Sequence, residues 1–208
     1  MIKVDIPSVC LIISSREIPK KLETALISGI KWIQYREKEL PRREILKNAI
    51  LARDLTVKYG CLLTVNDYVD IAIAVEADGV HLGQEDIPLE VAKKIFNGII
   101  GISTHSLEEA VEAEKNGADY IGFGPVFTTK TKKNALAPRD INMVSFICKK
   151  IKIPVILIGG IRGESLNFLY EKGCRYVAVS SGILDGDMAR NIEEFLKFFE
   201  SINETKYC

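Results

Sequence analysis

The chain has no surplus of either charge: 28 lysines and arginines face 28 aspartates and glutamates over 208 residues. That balance offers no basic field for nucleic acid or an anionic membrane, so any anion site must come from local placement of charge. Cysteine is sparse and scattered. The five, Cys10, Cys61, Cys148, Cys174 and Cys208, form no C-x-x-C pair and no zinc-ligand spacing. An odd, dispersed set fits a reducing cytoplasm, and Cys10 and Cys61, in or beside apolar runs, read as small buried hydrophobes. No apolar run reaches membrane-spanning length, and the opening MIKVDIPSVCLIISS lacks a signal-peptide layout. No linker or low-complexity segment divides residues 1–208. The expectation is one cytoplasmic domain that handles small molecules, without nucleic-acid or membrane partners and with a homo-oligomer left open.

What the chain does have is a set of short apolar runs at Val9–Ile13, Trp32–Tyr35, Cys61–Val65, Gly79–Leu82, Ile99–Ile102, Tyr120–Phe123, Val155–Ile158 and Tyr176–Val179. Near-continuous apolar character suits strands buried on both faces, as in parallel sheets. Helical patterns alternate with them. Pro19–Ser28 and Pro41–Tyr59 open with proline, and Asp67–Glu76 carries Val69 and Ile73, with Ala77 just beyond it, at helical spacing. Pro88–Phe96, Ser106–Asn116, Ile141–Lys150, Glu164–Glu171 and Ala189–Phe199 follow. Ser106-Leu-Glu-Glu109 is a capping-box pattern, and Gly117 and Gly173 stand where helices end. Eight strand-then-helix units in so short a chain predict a (β/α)₈ barrel, with a doubly wound open sheet as the alternative. The longest irregular stretch, residues 128–140, follows the sixth strand, where a long loop is usually functional.

In such a barrel the chemistry gathers where strands end. Strand two ends in Gln34-Tyr35-Arg36-Glu37-Lys38. Alternation puts Gln34, Arg36 and Lys38 on one face and Tyr35 and Glu37 on the other, and the whole segment is a candidate for substrate binding. Strand three ends in Asn66-Asp67 and strand four in His81, Gln84 and Asp86. For Asp67 and Asp86 the plain alternative is helix capping. For His81 it is a satisfied structural histidine. Together the two aspartates offer hard oxygen ligands at one rim, suited to Mg²⁺. Strand five supplies Ser103. The loop after strand six carries Thr128-Thr129-Lys130-Thr131-Lys132-Lys133, hydroxyls interleaved with lysines. Strands seven and eight end in Gly159-Gly160 and Ser180-Ser181-Gly182, small residues that let backbone N–H groups approach an anion. One rim thus holds two anion devices. Asp67 and Asp86 with Arg36, Lys38 and Lys132 suit a Mg²⁺-bound diphosphate. Gly160 with Ser180 and Ser181 suits a monophosphate.

With these motifs in order, the chain resembles the thiamine phosphate synthase family over nearly its whole length. The resemblance rests on Gln34-Tyr-Arg-Glu-Lys38, Asn66-Asp67, Ala77-Asp-Gly-Val-His-Leu-Gly-Gln-Glu-Asp86, Gly101-Ile-Ser103, Gly122-Phe-Gly-Pro125, Thr129-Lys-Thr-Lys132 and Ile158-Gly-Gly-Ile161. It implies a (β/α)₈ transferase that joins hydroxymethylpyrimidine diphosphate to a thiazole phosphate and releases diphosphate. By position, Gln34, Arg36, Lys38 and Asn66 would hold the pyrimidine diphosphate, with Ser103 and Lys132 facing it, and Asp67 and Asp86 would hold Mg²⁺. Thr129, Thr131, Gly160, Ser180 and Ser181 would hold the thiazole phosphate. Arg36, Lys38 and Lys132 would stabilise charge on the departing oxygen, and no protein nucleophile is needed.

Some positions depart from the family pattern. Strand one runs from Cys10 to Ile13-Ser14 where Thr-Asp is usual, no glycine stands near Arg139-Asp140, and Ser180 replaces a commonly apolar residue. The related thiazole tautomerase branch shares the barrel, but its acid/base histidine falls where this chain has Pro125. A non-catalytic phosphate-ligand barrel does not need two carboxylates and three cations.

Overall fold

The computed structural model describes residues 6–129 and 137–204. Among them, eight parallel strands close into a barrel in chain order, β1 to β8, and β8 pairs back onto β1 through Val177 and Val9. The strands are β1 Val9–Ile13, β2 Trp32–Tyr35, β3 Leu62–Asn66, β4 Gly79–Leu82, β5 Ile99–Thr104, β6 Tyr120–Phe123, β7 Val155–Ile158 and β8 Tyr176–Val179. The helices between them are α1 Lys20–Ile27, α2 Arg42–Lys58, α3 Val69–Ala74, α4 Leu89–Ile95, α5 Leu107–Lys115, α6 Ile141–Lys150 and α7 Leu166–Glu171. After β8 come a single-turn helix, α8 Ser181–Leu184, and the long α9 Met188–Glu204. No helix among the described residues is long and apolar enough to cross a membrane.

Period-two alternation sorts each strand into two cores. Val9, Leu11 and Ile13 of β1, with Ile33 and Tyr35 of β2, face outward into the layer between sheet and helices. Cys10, Ile12, Trp32, Tyr120, Ile156 and Ala178 fill the barrel interior. The two large rings fit inside because a neighbour yields its side chain: a Cβ at Gly101 would lie 2.0 Å from a Tyr120 ring carbon. Cys10 and Cys61 are buried free thiols, and burial pushes both up, Cys61 to about 12.

Helix ends follow local chemistry. Gly117 and Gly173 take φ of +82° and +100° just past α5 and α7, the left-handed conformation that glycine adopts without a Cβ penalty. Ser106 Oγ accepts the Glu109 N–H at 3.2 Å, as the capping box predicts. Glu109, however, reaches back to the N–H of His105 rather than of Ser106. The third helix begins at Val69 rather than Asp67. Residues 15–17 and 181–184 form short turns of helix that hydrophobic periodicity cannot show, being too brief for one repeat.

Candidate active site

The chain leaves β2 still extended, because the Arg36 N–H donates to the Ile13 carbonyl at 2.8 Å and prolongs the pairing with β1. Alternation therefore continues past the strand end. Gln34 and Arg36 face a cavity at the carboxyl ends of the strands, and Lys38 reaches Asp67 at 2.9 Å. Tyr35 and Glu37, taken as substrate-binding within this segment, do not line that cavity. Tyr35 is buried on the outer face, with its hydroxyl 2.8 Å from Ser15 Oγ. Glu37 accepts the N–H groups of Lys38 at 2.9 Å, Glu39 at 3.0 Å and Ser15 at 3.3 Å. Burial pushes the Glu37 carboxyl up, but these bonds together hold it below its ordinary value. Both residues brace the loop that carries their charged neighbours.

On β3, Asn66 is buried and faces the cavity. Asp67 follows at φ +66°, a left-handed turn that aspartate tolerates better than most residues. Its N–H donates to the His81 carbonyl at 2.8 Å, and Asn66 Nδ2 donates to its carboxylate. Asp86 Oδ2 accepts the Gly83 N–H at 2.7 Å. Neither aspartate caps a helix: α3 and α4 start after Tyr68 and Pro88, without a side-chain cap. The two carboxyls instead face each other. Burial raises Asp86, and the Asp67 carboxyl beside it raises it further. Crowded like charges of this kind are relieved by a divalent cation. No cluster of three or more metal-ligating side chains occurs among the described residues. The donor set suits Mg²⁺, which keeps several waters and takes one or two carboxylates plus phosphate oxygens. Asp67 and Asp86 stand beside the cavity wall rather than in it, joined to it through Asn66.

The opposite side of the mouth is built from small residues. Gly159 and Gly160 have φ of +102° and +65°. A Cβ at Gly160 would lie 2.5 Å from the Thr128 carbonyl oxygen, and one at Gly182 only 2.1 Å from that of Ile161. The turns after β7 and β8 therefore pack backbone against backbone. They meet the cavity together with Thr129, Ser180 and Ser181. Thr131 and Lys132 lie outside the described residues.

The cavity spans both sides and has a volume of about 160 Å³. Between the charged side and the small-residue side stand His81, Ser103 and His105. His81 is buried, and burial lowers it to about 4, so the ring is neutral. His105 is a further wall residue, outside the candidates drawn from the sequence. Its signal was available, since it lies two residues beyond Ser103 and alternation carries both inward. Pro125 also lines the cavity, so no side-chain base stands at that position.

A family model described as thiamine monophosphate synthase matches residues 9–183. The chain is 42% identical over 185 residues to the thiamine-phosphate synthase of Dictyoglomus turgidum, covering 88% of this chain and 83% of that protein. It is 43% identical over 198 residues to the thiamine-phosphate synthase of Pyrococcus furiosus, covering 92% and 94%. Among solved structures, the thiamine phosphate pyrophosphorylase from Pyrococcus furiosus superposes with a TM-score of 0.84 at 40% identity, covering 94% of this chain and 96% of that one.

Proposed function

The chain belongs to the thiamine monophosphate synthase family, and from that premise we propose how its barrel mouth performs the family's transfer. The reaction is thiamine-phosphate synthesis: the hydroxymethylpyrimidine group leaves its diphosphate and is bonded to the nitrogen of a thiazole phosphate. In this reading the pyrimidine diphosphate occupies the β2–β4 side, among Gln34, Arg36, Lys38 and Asn66. The thiazole phosphate occupies the β7–β8 side, against Gly160, Ser180, Ser181 and Thr129; Thr131, expected there too, and Lys132, expected at the diphosphate, lie outside the described residues. Asp67 and Asp86 hold Mg²⁺, which when bound would neutralise charge on the diphosphate oxygens. The observation that carries the reading is the pairing of Asp67 with Lys38 at 2.9 Å, beside Asp86 and Arg36, across one cavity from two glycine turns.

The chemistry asks little covalent work of the protein. Breaking the bond to diphosphate leaves a cation stabilised by the pyrimidine ring, and the thiazole nitrogen then donates its lone pair to that carbon. Arg36 and Lys38 stabilise the negative charge that develops on the leaving oxygen; such preorganised donors are commonly the largest catalytic contribution. The glycine turns act differently. They fix the thiazole by its phosphate, so its nitrogen needs no diffusive search for the reactive carbon. The test is direct: purified protein, both phosphorylated halves and Mg²⁺. Thiamine phosphate and diphosphate should appear in equal amounts and stop appearing when a chelator is added. No product from folded protein would sink the reading, and undiminished product in chelator would remove the metal from it.

A further inference from the structure

Beneath the mouth, polar side chains line up through the barrel interior. The Trp32 indole N–H donates to Thr64 Oγ1 at 2.9 Å. Burial raises the Tyr120 hydroxyl well above its ordinary value, and the Thr64 and Gln34 side chains beside it act the other way. That hydroxyl lies 3.0 Å from His81 Nδ1, and His81 Nε2 lies 2.8 Å from Ser103 Oγ. The rings are held in place as well. Tyr120 stacks on His81 with centroids 5.5 Å apart and meets Trp32 edge-on at 5.2 Å. Gly122 leaves room for the imidazole, since a Cβ there would lie 3.1 Å from His81 Cε1. Among the described residues, no buried side-chain nitrogen or oxygen lacks a hydrogen-bond partner.

The line has a direction. An indole N–H only donates, so Thr64 receives at that end. A phenol is a much stronger acid than a neutral imidazole N–H, and an imidazole nitrogen is a better acceptor than a phenol oxygen. The Tyr120 proton therefore lies toward His81 Nδ1. The imidazole proton must then sit on Nε2, where it donates to Ser103 Oγ. With an acceptor site filled from behind, the Ser103 hydroxyl is left to donate forward into the cavity it lines.

We infer that His81 is a positioning residue: Tyr120 holds it as the Nε2–H tautomer, and it aims the Ser103 hydroxyl proton at an oxygen of the pyrimidine diphosphate. The destination of that proton rests on the function proposed above, whereas the tautomer does not. His105 provides an internal contrast. Its Nδ1 lies 2.8 Å from the Gly124 carbonyl, which only accepts, so there the proton sits on Nδ1. The chain's two histidines thus carry opposite tautomers.

Long-range proton–nitrogen spectra of the ¹⁵N-labelled full chain test this, because only two imidazoles contribute and a His105→Gln variant assigns them. The expected result is an Nε2–H pattern for His81 and an Nδ1–H pattern for His105. An Nδ1–H or doubly protonated His81 overturns the inference and leaves the synthase reading intact. In Tyr120→Phe, the Nδ1–H form of His81 should appear, and the KM for the pyrimidine diphosphate should rise about ten-fold, the size of one hydrogen bond to a charged group. The KM for the thiazole phosphate should stay fixed. A Tyr120→Phe protein that keeps the pure Nε2–H pattern, or whose two KM values rise together, contradicts the positioning role. Should that variant not fold, the wild-type spectrum still decides. If neither half is a substrate, the spectrum continues to report on His81 while the proposed function alone fails.

Discussion

In the proposed reading, the two sides of the barrel mouth meet anions by different means. On the β2–β4 side the work falls to side chains: Arg36, Lys38, Asp67 and Asp86, carried on extended or left-handed backbone just past the strands. On the β7–β8 side the side chains are short, and glycines bring the main chain close. The difference matches two tasks. A departing diphosphate gains charge during the reaction, so mobile, formally charged groups and a cation reward the transition state. A phosphate that serves only as a handle keeps its charge throughout, and a rigid cradle of backbone donors is enough.

The comparison breaks most visibly at Asp67. Asp67→Asn keeps the shape and removes one of two hard ligands, so kcat/KM should fall by at least about 100-fold and the response to Mg²⁺ should vanish. Steady-state rates across a Mg²⁺ titration check this; a variant as fast and as Mg²⁺-dependent as wild type would take Asp67 out of the metal site. Next in size is Gly160→Ala. A side chain at φ +65°, 2.5 Å from the Thr128 carbonyl oxygen, must push the turn outward. Strain of about 1–3 kcal/mol predicts a KM for the thiazole phosphate roughly 5- to 100-fold higher, with the KM for the pyrimidine diphosphate little changed. Equal rises in both constants would dissolve the distinction between the two sides.

Lys38→Ala should do less, because this lysine is half exposed and screened. A rise of about five-fold in the KM for the pyrimidine diphosphate is expected, shrinking as salt is added. The smallest kinetic effect belongs to Tyr35→Phe. It deletes only the bond to Ser15, so stability should fall by about 1 kcal/mol in urea unfolding while both KM values hold within about two-fold. A large change in either KM would return Tyr35 to the binding site.

Much of this frame was legible in the sequence. Most strand boundaries follow from short apolar runs between polar segments, because every strand is buried on both faces. That Gln34 and Arg36 face the cavity while Tyr35 and Glu37 turn away follows from alternation alone. For Asp67 and Asp86, residue type and position left helix capping open. The structure removes that reading, since neither α3 nor α4 carries a side-chain cap. The line from Trp32 to Ser103 was not legible at all. Its members come from β2 to β6, and barrel register rather than sequence spacing brings them together: Gln34 beside Thr64, Asn66 beside His81, and His81 beside Gly101.

Calorimetric titration with inorganic diphosphate tests the division of the mouth most directly. Wild-type protein should bind diphosphate much more tightly with Mg²⁺ than without, Asp67→Asn should lose that gain, and Gly160→Ala should keep it. Diphosphate binding that ignores Mg²⁺, or that Gly160→Ala weakens as much as Asp67→Asn does, would contradict the account.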